Sequence, residues 1–305
     1  MTLDQASTDG PRRTPKRSRG RPIAHLLGRI ATYTILLTWA FICLFPIYWT
    51  FSTSIKNQVA VLQGPTYIPF WDFEPNRIGW ESILGDEDQR AIVIRNALNS
   101  LVIAVASSAV AVALGALAGY GLTRFNYKFA IWRNRDISFW FLSQLILPPA
   151  AVVMPILILY RELRLLDTHL GLILLYAVVN LPIVIWIMRD QFGSIPVELE
   201  HAALVDGASL FGAFSRVVLP IAAPGMVAAF ILSFIFAWNE YFFAAVLSST
   251  KAVTLPFLIA TQVSSQGVKW WAMAAIASAA ILPLIVIGVL LERFIVKGLT
   301  AGAVK

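Results

Sequence analysis

Long apolar intervals alternate with short polar stretches along this chain of 305 residues. Charged side chains bound six intervals that contain none: Arg29 to Lys56, Arg95 to Arg124, Asp136 to Arg161, Asp167 to Arg189, Arg216 to Glu240 and Lys269 to Glu292. Each interval encloses 21 to 28 residues. A helix needs about 20 apolar residues to cross about 30 Å of hydrocarbon. Barrel strands need only about 10 residues of alternating character, so these continuous runs do not suit a barrel. The pattern predicts an all-α integral membrane protein with about six transmembrane helices, near 30–52, 97–121, 137–160, 168–188, 222–246 and 271–292. Helices satisfy their own backbone groups, as a bilayer requires. Residues 1–29 read as a disordered basic tail, 30–292 as the membrane domain and 293–305 as a second tail.

The polar interval 189–220 has a helical pattern of its own. Pro196 suits a helix start, with Ser194, Glu198 and Glu200 placing an oxygen and negative charge near that N-terminus. Val197, His201 and Leu204 recur at helical spacing, and Asp206-Gly207 supplies a stop because glycine tolerates the left-handed cap. Ser209 can cap a second short helix, whose apolar side is Leu210, Phe211, Phe214, Val217 and Val218 and which Leu219-Pro220 ends. Between membrane spans, such a hairpin is ordered by docking on something. Its acids Asp190, Glu198, Glu200 and Asp206 outnumber Arg189 and Arg216, which disfavours anionic lipid and favours a protein partner.

Charge placement gives the orientation. Counting along six spans puts 16 of the 24 Lys and Arg on the side of the termini and the 189–220 loop, and 8 on the other. By the positive-inside rule that majority side is cytoplasmic. The same bias explains the net charge of +7 without nucleic acid. The loop at about 53–92 then lies outside, and its Trp71 and Trp80 suit either the membrane interface or contact with a soluble partner. Cys43, the single cysteine, offers neither a disulfide nor a metal cluster. In the second span, Gly115 and Gly119 form a GxxxG pair, consistent with either internal packing or a subunit interface.

The hairpin resembles the EAA loop of ABC importer permeases, whose pattern is Glu-Ala-Ala, three residues, Gly, nine residues, Ile, one residue, Leu-Pro. His201-Ala202-Ala203, Gly207, Val217, Leu219 and Pro220 stand at that spacing. Ala237-Trp238-Asn239-Glu240 and the terminal Gly298 to Lys305 are similar to the maltose-type carbohydrate branch, which transports sugars or polyols. The resemblance implies a bacterial inner-membrane permease subunit, multi-pass with both termini cytoplasmic, forming half of a translocation path. It implies as partners a second permease, two copies of a cytoplasmic ABC ATPase and an extracytoplasmic solute-binding protein. Glu198, Glu200, His201, Ala202, Ala203, Asp206, Gly207, Leu219 and Pro220 would then couple the spans to the ATPase. His201 stands where the pattern has Glu, so a contact made by that Glu is lost or passes to Glu200.

No GxxxxGK[ST] occurs, so the chain is expected to bind no cofactor itself, with ATP and Mg on the partner ATPase. His25, His169 and His201 lie in separate segments, and no catalytic constellation or metal site is expected. Polar groups inside spans are functional candidates because they are costly in lipid. Trp238, Asn239 and Glu240, with Asn180 and Gln144, are the candidate substrate path; interfacial anchoring with helix–helix hydrogen bonds is the alternative for the first three. An ion-gradient-driven transporter or channel is the alternative reading.

Overall fold

The computed structural model describes residues 22–129, 132–264 and 267–301. The chain divides into two units, Met1–Tyr48 and Trp49–Lys305. Helix α1 (Pro22–Ser54) begins in the first. Residues 22–29 are helical where a disordered tail was expected; Pro22 suits the start, since proline fixes φ and needs no N–H partner there. Residues 1–21 of that tail lie outside the described residues. Thr32 and Thr38 donate their hydroxyls to the carbonyls of Gly28 and Thr34, at 2.9 and 2.8 Å, which lets polar side chains sit in an apolar helix.

In the second unit, the end of α1 leads through α2 (Gln58–Leu62) to α3 (Ile78–Leu84). Gly79 lets α3 approach closely, because a Cβ there would lie 2.6 Å from the Ser54 carbonyl oxygen. Helix α4 (Glu87–Arg124) follows. Asp86 caps it by accepting the Gln89 N–H at 3.2 Å, and Glu87 and Asp88 complement the helix dipole in its first turn.

The span expected at 137–160 is two helices rather than one. α5 (Asn134–Ser143) and a 3-10 turn (Gln144–Ile146) precede α6 (Pro149–Glu162), and the two arms meet at 93°. Pro148 and Pro149 donate no N–H, and proline pushes the residue before it out of the helical region. Leu147 and Pro148 are accordingly extended, with ψ of 121° and 133°.

Helix α7 (His169–Gly193) packs along α4. A Cβ on Gly115 would lie 2.5 Å from Val184 Cγ1, and one on Gly119 would lie 2.9 Å from Met188 Cβ and 3.0 Å from the Arg189 nitrogen. The glycine pair therefore serves internal packing within this chain. α8 (Glu198–Val205) and α9 (Leu210–Ala213) make the hairpin, and α10 (Leu219–Trp238) returns through the core. α10 stops at Trp238, short of the 246 expected for the fifth span, and α11 (Phe242–Leu247) starts afresh. At the break the Glu240 carboxylate accepts the N–H groups of Phe243 and Ala244 at 2.9 and 3.3 Å and so satisfies the start of α11. α12 (Leu255–Ala260) and α13 (Trp270–Ala301) complete the chain, so the second tail is helical as far as Ala301.

Two buried clusters hold this unit together. One joins Ile103, Leu172, Tyr176, Phe234, Trp238 and Ile276. The other joins Ala111, Tyr120, Val184, Met188, Phe192, Phe214 and Val218 nearer the hairpin. At the end away from the hairpin, Asp167 clamps the turn that follows α11. It accepts N–H bonds from Ser249, Thr250, Lys251 and Ala252 at 3.0 to 3.1 Å and the Thr250 hydroxyl at 2.7 Å. Burial opposes its charge, but these bonds outweigh that cost and hold the carboxyl well below the usual carboxylate range. Asn99 supports the same turn by donating to the carbonyls of Lys251 and Val253, each at 2.9 Å. Five described helices are long and apolar enough to cross a membrane, and the α5–α6 pair makes a sixth crossing if it counts as one span.

Candidate functional site

The hairpin's first helix ends on a complete left-handed cap. The Gly207 N–H donates to the Leu204 carbonyl at 3.1 Å, and the Ala208 N–H donates to the Ala203 carbonyl at 3.0 Å. Gly207 sits at φ +88°, a conformation that glycine adopts without a Cβ penalty. Ser209 then caps α9, its Oγ accepting the Gly212 N–H at 3.1 Å. Pro196 and Ser194 play other parts than expected. α8 starts at Glu198, two residues beyond Pro196, and the Ser194 hydroxyl donates back to Gln191 at 2.8 Å, closing α7 instead.

Leu219-Pro220 does not end the second helix. α9 passes through a π turn (Phe214–Val218) straight into α10, and the Leu219 N–H reaches the Phe214 carbonyl five residues back. The widened turn accommodates a proline that contributes no N–H of its own. The hairpin's second arm and the membrane helix α10 are thus one continuous helical run.

Glu200 is only 5% exposed. Tyr120 Oη donates to its Oε2 at 2.9 Å, and Arg124 Nε donates to Oε1. Arg124 Nη2 also donates to the Ile195 carbonyl at 2.9 Å. Tyr120, Phe192 and Phe214 close over this pair, with the Tyr120 and Phe214 ring centroids 4.5 Å apart. Removing one member of such a buried pair leaves an uncompensated charge, at a cost of about 3–5 kcal/mol. Glu200 therefore faces this chain's own α4 and is not available to replace the motif Glu in a partner contact. Glu198, His201, Ala202, Asp206 and Gly207 are exposed, as is Pro220, while Ala203 and Leu219 are half-buried. Tyr120 and Arg124 escaped the sequence reading. The available signal was a tyrosine and an arginine one turn apart at the hairpin end of α4, where Arg124 bounds the second apolar interval.

The substrate-path candidates separate. A cavity of about 160 Å³ is lined by Tyr176, Asn180 and Glu240 with Leu145, Ile183 and Phe236. Tyr176 was not anticipated; its Oη donates to Glu240 Oε2 at 2.6 Å. Trp238 instead stacks on Phe234 at 5.7 Å within the core. Asn239 is exposed, its amide donating to the Ile235 carbonyl at 2.8 Å. Gln144 stands beside Leu145, and its side-chain amide donates to the Trp140 carbonyl at 3.2 Å.

The family described as "Binding-protein-dependent transport system inner membrane component" matches residues 111–300, a stretch containing the hairpin and the cavity. The chain belongs to this family. It is 35% identical to the trehalose transport system permease protein SugB of Mycobacterium tuberculosis, with 91% of this chain and 98% of SugB covered. It is 32% identical to the diacetylchitobiose uptake system permease protein DasC of Streptomyces coelicolor, over 86% of this chain and 91% of DasC. In fold it resembles a chain of a bacterial ABC transporter involved in the import of the acidic polysaccharide alginate. The TM-score there is 0.67 at 23% identity, covering 92% of this chain and 99% of that one. Membership makes this an inner-membrane permease of an ABC importer, a transport component that works with ATPase and solute-binding partners. The gradient-driven alternative is set aside.

Proposed function

We propose that this permease forms half of the translocation path of an importer for a carbohydrate, a sugar or sugar alcohol. It pairs with a second permease and two copies of a cytoplasmic ATPase, which hold the ATP and Mg, and it receives substrate from an extracytoplasmic binding protein. The hairpin is the coupling element seated on the ATPase, through the exposed side of His201, Ala202, Ala203 and Gly207. The observation that carries this reading is an ordered hairpin, fastened inwardly at Glu200 and through Phe214 and Val218, that leaves Val205 and Phe211 exposed. Val205 is 87% and Phe211 73% exposed; an apolar patch on a rigid segment suits a protein contact. The carbohydrate class rests on the transport named for SugB and DasC. The Tyr176–Asn180–Glu240 cavity supplies hydroxyl, amide and carboxylate groups beside an aromatic ring, a combination suited to a sugar.

In liposomes, the chain alone is expected neither to transport nor to hydrolyse ATP. The four-component complex should take up one member of a panel of sugars and sugar alcohols only with ATP. Gradient-driven uptake by the chain alone would overturn the proposal.

Both termini and the hairpin are cytoplasmic in this reading. With Cys43→Ser as background, Ser209→Cys should react with a membrane-impermeant maleimide only after cells are permeabilised. Labelling from the outside of intact cells would reverse the topology.

A further inference from the structure

We infer that Glu200 is a positioning residue that joins the coupling hairpin to α4, so that α8 and the adjacent end of α4 move as one body. The inference rests on the coupling role proposed above. Glu198 and Glu200 both lie in the first turn of α8, yet only Glu198 faces solvent. A carboxylate meant for the ATPase would be exposed; that of Glu200 has both oxygens committed to α4, one to Tyr120 and one to Arg124. Those two donors are one helical turn apart and so share a face.

Arg124 grips the loop twice. Its Nε holds α8 through Glu200, and its Nη2 holds the Ile195 carbonyl in the link between α7 and α8. A planar guanidinium with several donors can bridge two such points at once; a lysine offers no fixed fork. Behind the clamp there is little slack. The tyrosine ring bears on Phe192 of α7 and on Phe214 of the π turn. One residue before it, Gly119 brings α4 against the Met188–Arg189 backbone. Displacement of α8 therefore reaches α4 and α7 through groups that have no room to yield. Coupling travels through packed elements of this kind. The sequence spacing of 80 residues between Tyr120 and Glu200 makes the joint a product of the fold, independent of the partner-facing surface.

A stability role and a transmission role separate in a paired substitution. Replacing a buried ion pair with apolar side chains of similar volume leaves no stranded charge and is often tolerated. The experiment uses the full importer with Arg124→Leu/Glu200→Met, with Glu200→Gln, and with the exchanged pair Arg124→Glu/Glu200→Arg. In the double apolar variant the ATPase should co-purify at normal stoichiometry and basal hydrolysis should persist. Binding-protein-stimulated hydrolysis and transport should fall about tenfold, a typical size for a coupling factor. Glu200→Gln should lose stimulation too, and the exchanged pair should recover part of it. Normal stimulation and transport in the double apolar variant would overturn the inference. Loss of ATPase binding in that variant would overturn it as well, since the pair would then serve docking or folding. Failure of the ATPase to co-purify with the unaltered chain would instead sink the coupling reading itself.

Discussion

Gly207→Pro is expected to abolish transport while leaving the protein in the membrane at its normal level. Gly207 has φ +88°, and proline locks φ near −65°, so the left-handed cap cannot form. The substitution also removes the N–H that donates to Leu204. The Ala208–Ala203 bond depends on the same reversal of the chain and goes with it. α9 then leaves α8 in a different direction, although Ser209 can still cap it. Because α9 runs unbroken into α10, the misdirection is delivered to a membrane helix and is not absorbed in a loop. Insertion should survive, since each long helix satisfies its own backbone and gains its stability from lipid burial. Membrane yield, ATPase co-purification and stimulated ATP hydrolysis check this. Gly207→Ala is the graded control. Nothing lies within 4 Å of a Cβ there, so the cost is the left-handed penalty of about 1–2 kcal/mol alone, and activity should fall only in part. Full transport by the proline variant would reduce the hairpin to a surface connector.

Gly119→Leu should cost most of the folded protein. Even a bare Cβ at this site would lie 3.0 Å from the Arg189 backbone nitrogen and 2.9 Å from Met188 Cβ. Backbone cannot rotate aside as a side-chain tip can, so α4 and α7 must separate. Overpacking typically costs about 1–3 kcal/mol, and the upper end is expected because helix separation also opens the cluster around Tyr120 and Phe192. The checks are the yield of monodisperse chain in detergent and its thermal unfolding midpoint. Gly193→Ala is the comparison: no atom lies within 4 Å of its Cβ, and the midpoint should stay near that of the unaltered chain. If Gly119→Leu gave normal yield and midpoint with failed subunit assembly, the glycine pair would belong to a subunit interface.

The membrane helices were legible in the chain because stripping a charge of water is a local penalty that can be counted residue by residue. The hairpin cap was legible for the same reason: Asp206-Gly207 followed by Ser209 encodes a stop and a start within four positions. Prolines were visible but their consequences were not. Pro148-Pro149 breaks a span at 93°, whereas Pro220 is carried through by a π turn. Which outcome follows depends on whether neighbouring backbone can re-register, and that is decided by packing. The substrate-path reading divided similarly. Asn180 and Glu240 line one cavity, while Trp238 turned into the core, because facing direction at a helix end depends on where the next helix begins. By itself, then, the sequence determined an all-α membrane protein with a two-helix hairpin at its place along the chain, since burial cost, helix length and capping act over a few residues. Only the tertiary structure decided that Gly115 and Gly119 seat α7, that Glu200 faces inward, and that Tyr120 and Arg124 hold it. Those partners are 76 and 80 residues away in sequence, and contacts at such separations arise from the packing of whole helices, which no local pattern encodes.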